Sequence, residues 1–76
     1  MRQFDRITID PAVMTGNPCI RGMRVTVGMI LQALAAGGTV EELLVDFPYL
    51  DATDIRQAIG FGAALCEARD VPLQGS

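Results

Sequence analysis

Arg21 and Arg24 flank Gly22 in the string Cys19-Ile20-Arg21-Gly22-Met23-Arg24-Val25. Two guanidiniums projecting from an otherwise apolar segment suit anion recognition, because each offers a rigid fork of donors that matches carboxylate or phosphate. Gly22 between them permits a sharp turn or a close approach of backbone. Two targets fit: a phosphate backbone, or an acidic pocket on a partner protein whose carboxylates an arginine can occupy. The competing explanation is an internal salt bridge, for example to Asp5, Asp10 or Asp46.

Two further constellations stand in the second half. Arg56 and Gln57 fall near the start of a predicted helix, where a recognition helix contacts base edges, and are candidates for nucleic-acid contact. Against this, Asp51 and Asp54 share that turn, and nucleic-acid affinity rests largely on neutralising phosphates. Gly60-Phe61-Gly62-Ala63-Ala64 gathers small residues around an aromatic ring. Glycine costs about 1 kcal/mol in a helix interior relative to alanine, so two of them suggest that another backbone comes close. Gly60, Phe61 and Ala64 are therefore candidates for a dimer interface; packing of the third helix on the first through Gly62 is the alternative.

The residue types disfavour catalysis. Histidine, the commonest general base, is absent. Glu41-Glu42 and Asp51/Asp54 are accounted for by helix capping and by the helix dipole. Cys19 has no base within its motif, and Cys19 and Cys66 lack metal-ligand spacing. No catalytic residue, metal or cofactor is expected. Both thiols are expected to be reduced, as in a cytoplasmic protein. No stretch approaches the roughly 20 apolar residues of a membrane span, and the N-terminus lacks the apolar run of a signal peptide.

Charge is unevenly placed. The first 38 residues carry four arginines against two aspartates; the remainder carries two arginines against seven acids. Half of the 76 residues are apolar, more than so small a core can hide, so a second subunit or a partner is expected to cover some of them.

These residues must be positioned by one domain, 1–76. Residues 1–27 read as strands and turns. Arg6 to Asp10 alternates as a half-buried strand does and ends at Asp10-Pro11. Thr15-Gly16-Asn17-Pro18 is a turn signal. Cys19 to Val27 reads as extended, with either a bulge or a tight turn at Gly22. A three-helix core follows over 27–69. Thr26 caps the first helix, with Val27, Ile30, Leu31 and Leu34 on one face, and Gly37-Gly38 stops it. Thr39 and Glu42 form a capping box for the second, which buries Val40, Leu43, Leu44 and Phe47 and ends before Pro48. Asp51 caps the third, with Ile55, Ala58, Ile59, Gly62 and Leu65 as the expected buried face. Residues 72–76 read as a flexible tail. The fold class is mainly α: a three-helix helix-turn-helix, winged-helix-like core with a short N-terminal β-hairpin.

The order Ile7-x-Ile9-Asp10-Pro11, then Gly16-x-Pro18-x-Ile20-Arg21-Gly22-x-Arg24-Val25-x-Val27, resembles domain-of-unknown-function family number 433. The likeness continues through Gly37, Glu41-Glu42-Leu43-Leu44, Asp46-Phe47-Pro48-Tyr49-Leu50 and Asp54-Ile55, from about Arg6 to Leu65. Met23, Thr26 and Asn17 replace the threonine, proline and lysine common there. The resemblance implies a small helix-turn-helix fold and an antitoxin of a type II toxin–antitoxin pair. Its implied partner is a PIN-like ribonuclease toxin, with Arg21 or Arg24 as the anion-seeking residue. The alternative is a dimeric helix-turn-helix DNA-binding regulator.

Overall fold

The structure is a computed structural model and describes residues 4–67; the expected tail over 72–76 lies outside them. Two short strands precede three helices: β1 (Ile7–Thr8), β2 (Cys19–Ile20), α1 (Val27–Ala35), α2 (Val40–Asp46) and α3 (Ala52–Glu67). β1 and β2 pair antiparallel, Ile7 opposite Ile20 and Thr8 opposite Cys19. Cys19 is also bridged to Thr26 on its other side.

β1 is shorter than its alternating pattern suggested. The Asp10 carboxylate accepts from the Ala12 amide at 2.9 Å, so the chain turns at Asp10-Pro11, and Ile9 is left outside at 62% exposure. Between the strands, Met14–Gly16 forms a single 3-10 turn with positive φ at all three residues. The bulge-or-turn choice at Gly22 resolves to a turn: the Met23 amide donates to the Ile20 carbonyl at 2.8 Å, with φ +46° at Arg21 and +72° at Gly22.

The helix boundaries follow local chemistry. The Thr26 hydroxyl accepts from the Met29 amide. Gly37, at φ +100°, follows α1 in the left-handed conformation that glycine adopts without steric cost. Thr39 and Glu42 bond reciprocally, at 3.1 and 2.9 Å. Phe47 to Leu50 makes the α2–α3 turn, closed by the Leu50 amide on the Phe47 carbonyl, with Pro48 at the position where its fixed φ belongs.

Ile20, Val25, Val27, Ile30, Leu43, Leu50, Ile55, Ala58 and Phe61 form the core. The expected buried face of α3 needs correction. Ile59 and Leu65 stay 44% and 47% exposed, while Phe61 and the carboxylate Asp54 go inside. Phe61 turns inward because Phe4 meets it edge-on, with ring centroids 5.5 Å apart. The glycines make room on either side of it. A Cβ at Gly60 would lie 3.1 Å from the Phe4 ring, and one at Gly62 would lie 2.7 Å from a Leu31 methyl.

Ala58 is completely enclosed. Ala58→Leu is expected to overpack this centre and cost about 1–3 kcal/mol, read as a lower urea midpoint. Ala63→Leu, at an exposed position of the same helix, is expected to leave the midpoint unchanged.

Candidate functional site

The N-terminus of α3 gathers charges from three parts of the chain. Asp51 and Asp54 cap it reciprocally: the Asp54 amide donates to Asp51 Oδ1 at 2.9 Å, and the Asp51 amide to Asp54 Oδ2 at 3.0 Å. Arg21 lays its guanidinium along the Asp54 carboxylate, Nε on Oδ1 at 3.2 Å and a terminal nitrogen on Oδ2 at 2.8 Å. That same terminal nitrogen donates to the Tyr49 carbonyl. Arg6, leading into β1, reaches Asp51 at 2.6 Å and Asp54 at 3.1 Å. The Asp54 side chain is fully enclosed, whereas Arg6 and Arg21 keep 32% and 43% of theirs in solvent. A buried carboxylate thus receives four donors, and the cations around it retain water.

Protonation follows from that geometry. Burial pushes the Asp54 carboxyl up, but the bonds from Arg21, from the Asp51 amide and from Arg6 outweigh it and hold the group below its ordinary 3.8. Asp51 is lowered chiefly by the bond from Arg6. Arg6 and Arg21 are raised, chiefly by their bonds to Asp51 and to Asp54 respectively, and stay charged.

Arg21, one of the two anion-seeking candidates, is therefore bound within its own chain. Its carboxylate is Asp54, not Asp5, Asp10 or Asp46. Gly22 is exposed, and its amide is taken by the Thr8 hydroxyl at 2.8 Å. Gln57 is also engaged within the chain, accepting from the Arg6 amide and donating to Asp5. Phe61 is buried and Gly60 half-buried against Phe4 of the same chain; Ala64 is half-buried. Arg24 and Arg56 differ: both are exposed, and neither forms a salt bridge among the described residues.

Arg24 borders an apolar groove with Met23, Val25, Met29, Phe47 and Tyr49. The rings of Phe47 and Tyr49 meet edge-on, centroids 6.1 Å apart, and Tyr49 is half exposed. The arginine was legible in the sequence; the aromatic wall beside it was not, since Phe47 read as part of the buried face of the second helix and Tyr49 as part of the turn after it. Among the described residues, no group of three or more potential ligands could hold a metal ion, and no helix is long and apolar enough to cross a membrane.

Residues 7–61 match the family described as "Protein of unknown function (DUF433)". The chain belongs to that family. The matched DUF433 region runs from the first residue of β1 to the buried Phe61, and so includes Arg21, Gly22, Arg24 and Asp54. Over 52 residues the chain is 42% identical to the uncharacterized protein y4eO of Sinorhizobium fredii, covering 68% of this chain and 24% of that protein. It thus spans about a quarter of that relative's length. No solved structure matches it.

Asp54→Ala is expected to lower stability by about 2–3 kcal/mol, since it removes charged hydrogen bonds and a helix cap together. Because Asp51 and Asp54 are lowered on folding, the stability they supply is complete above the ordinary carboxylate value and is lost as pH falls below it. Urea midpoints are therefore expected to drop below pH ~4, less steeply in Asp54→Asn. Arg21 has positive φ, so Arg21→Gly, which relieves the backbone, is expected to be less destabilising than Arg21→Ala.

Proposed function

We propose that this chain is a non-catalytic protein-binding module, the antitoxin of a type II toxin–antitoxin pair, which binds and blocks a PIN-like ribonuclease in the cytoplasm. The observation that carries this reading is Arg24: an exposed guanidinium that forms no salt bridge among the described residues, set beside an apolar and aromatic groove. Such a groove suits a partner protein, because aromatic residues, methionine and arginine are the types enriched where proteins bind one another. The arginine fork suits a pocket of carboxylates, which is what the metal site of such a nuclease offers. The antitoxin assignment itself comes from the family resemblance. Two free thiols, one of them exposed, agree with a reducing compartment.

The helix-turn-helix order keeps a DNA-binding regulator as the second reading. Its support is the exposed Arg56 early in α3. With Gln57 engaged and Asp51 nearby, Arg56 alone supplies little phosphate neutralisation.

The neighbouring reading frame is expected to encode a small ribonuclease, and its co-expression with this chain to yield a stable complex. Arg24→Glu is expected to weaken that complex at least tenfold while the helical circular dichroism is retained; charge reversal at a docked ion pair is a change of this size. No complex, or one indifferent to Arg24, would count against the proposal. On its own promoter fragment at low salt, the chain is expected to show no mobility shift; a salt-dependent shift lost in Arg56→Ala would favour the second reading.

A further inference from the structure

Arg56 and Glu67 both belong to α3, an unbroken helix from Ala52 to Glu67. Eleven positions along a helix make three turns plus about 20°, so the two share one face and stand ~16 Å apart along the axis. Both are exposed, and neither forms a salt bridge among the described residues. The helix offers them no partner of its own. The neighbours of Arg56 three and four positions away are Ala52, Thr53, Ile59 and Gly60; those preceding Glu67 are Ala63 and Ala64. No charged residue lies between the two.

The outward face of α3 is otherwise apolar. Ala52, Arg56, Ile59, Ala63 and Cys66 are all exposed, Ile59 to 44%. They follow one another at steps of four, three, four and three. That is the repeat by which one helix packs along another. The side of α3 that holds Asp54, Ile55, Ala58 and Phe61 is already given to the core. A surface helix ordinarily turns charged and polar groups outward from such a core face. This one carries a second seam there, with a cation near one end and an acid at the other.

The charges select the second helix. Laid parallel, a copy of α3 sets arginine against arginine and glutamate against glutamate. Turned end for end about a two-fold axis, it sets each arginine against a glutamate. We propose that a second copy of this chain packs antiparallel on the outward face of α3 in an isologous dimer, with Arg56 of each protomer on the partner subunit's Glu67 and Ile59 on the partner's Ala63. The small side chain of Ala63 lets the helices approach. No residue of this face lines the groove beside Arg24, so each protomer keeps that groove, and the dimer does not depend on the protein-binding function proposed above. It does engage Arg56, on which the DNA-binding reading rests.

Sedimentation equilibrium of the full chain alone, from micromolar to millimolar concentration, tests the pairing. A helix pair ~24 Å long covers less than the roughly 800 Å² per partner of a standard interface. The mass is therefore expected to rise with concentration from the 8.1 kDa of the chain to twice that value. Each charge reversal acts twice in a two-fold dimer, so Arg56→Glu and Glu67→Arg are each expected to weaken association roughly tenfold. The double reversal is expected to restore it. So is an equimolar mixture of the two single variants, because one then carries acids at both ends and the other arginines. In a parallel pair each single reversal exchanges one like-charge contact for another and changes little. A monomer at all concentrations, or a dimer indifferent to both single reversals, would overturn the proposal.

Discussion

The charge of Asp54 is the constraint on which the arrangement depends. A carboxylate with no access to water is costly unless its oxygens are well supplied with donors. Those donors come from three places: the backbone of the α2–α3 turn, the tight turn after β2, and the residue leading into β1. Burying one acid therefore holds the strand-and-turn segment against the three-helix core. It also accounts for the left-handed backbone at Arg21, which places the guanidinium flat against the carboxylate and is held there by two bonds to it.

The same constraint sorts the arginines. Arg6 and Arg21 are anchors, engaged within the chain. Arg24, across the turn from Arg21, points into solvent next to Met23, Phe47 and Tyr49. The turn that commits one arginine to the interior thus presents the other at the surface. With α1 bare of charge beside it, the attachment surface proposed for this chain is a by-product of how the N-terminal segment is fastened.

Much of the fold was legible because it is written in short-range chemistry. Thr26, Thr39 with Glu42, and Asp51 with Asp54 are signals spanning three residues, and each marks a helix start in the structure. Gly37 likewise marks a stop. The candidate site was less legible because its partners are distant: Arg21 and Asp54 are separated by 33 positions, and nothing local distinguishes a capping aspartate from one that is also the receptor of two arginines. The face of α3 was misjudged for a related reason. Ile59 and Leu65 compete with Ala58 and Phe61 for the apolar stripe, and the choice is made by Phe4, more than fifty residues away, whose ring needs the space left by Gly60.

The ionisation of Asp54 can be observed directly, by following its side-chain carboxyl carbon by NMR as the folded protein is acidified. If two arginines and a backbone amide satisfy a buried charge as described, that carbon should still report carboxylate when the aspartates of an unfolded reference peptide have become half protonated. An Asp54 that takes up its proton together with them, or before them, would mean that burial outweighs its donors, and the anchoring of the N-terminal segment would need another explanation.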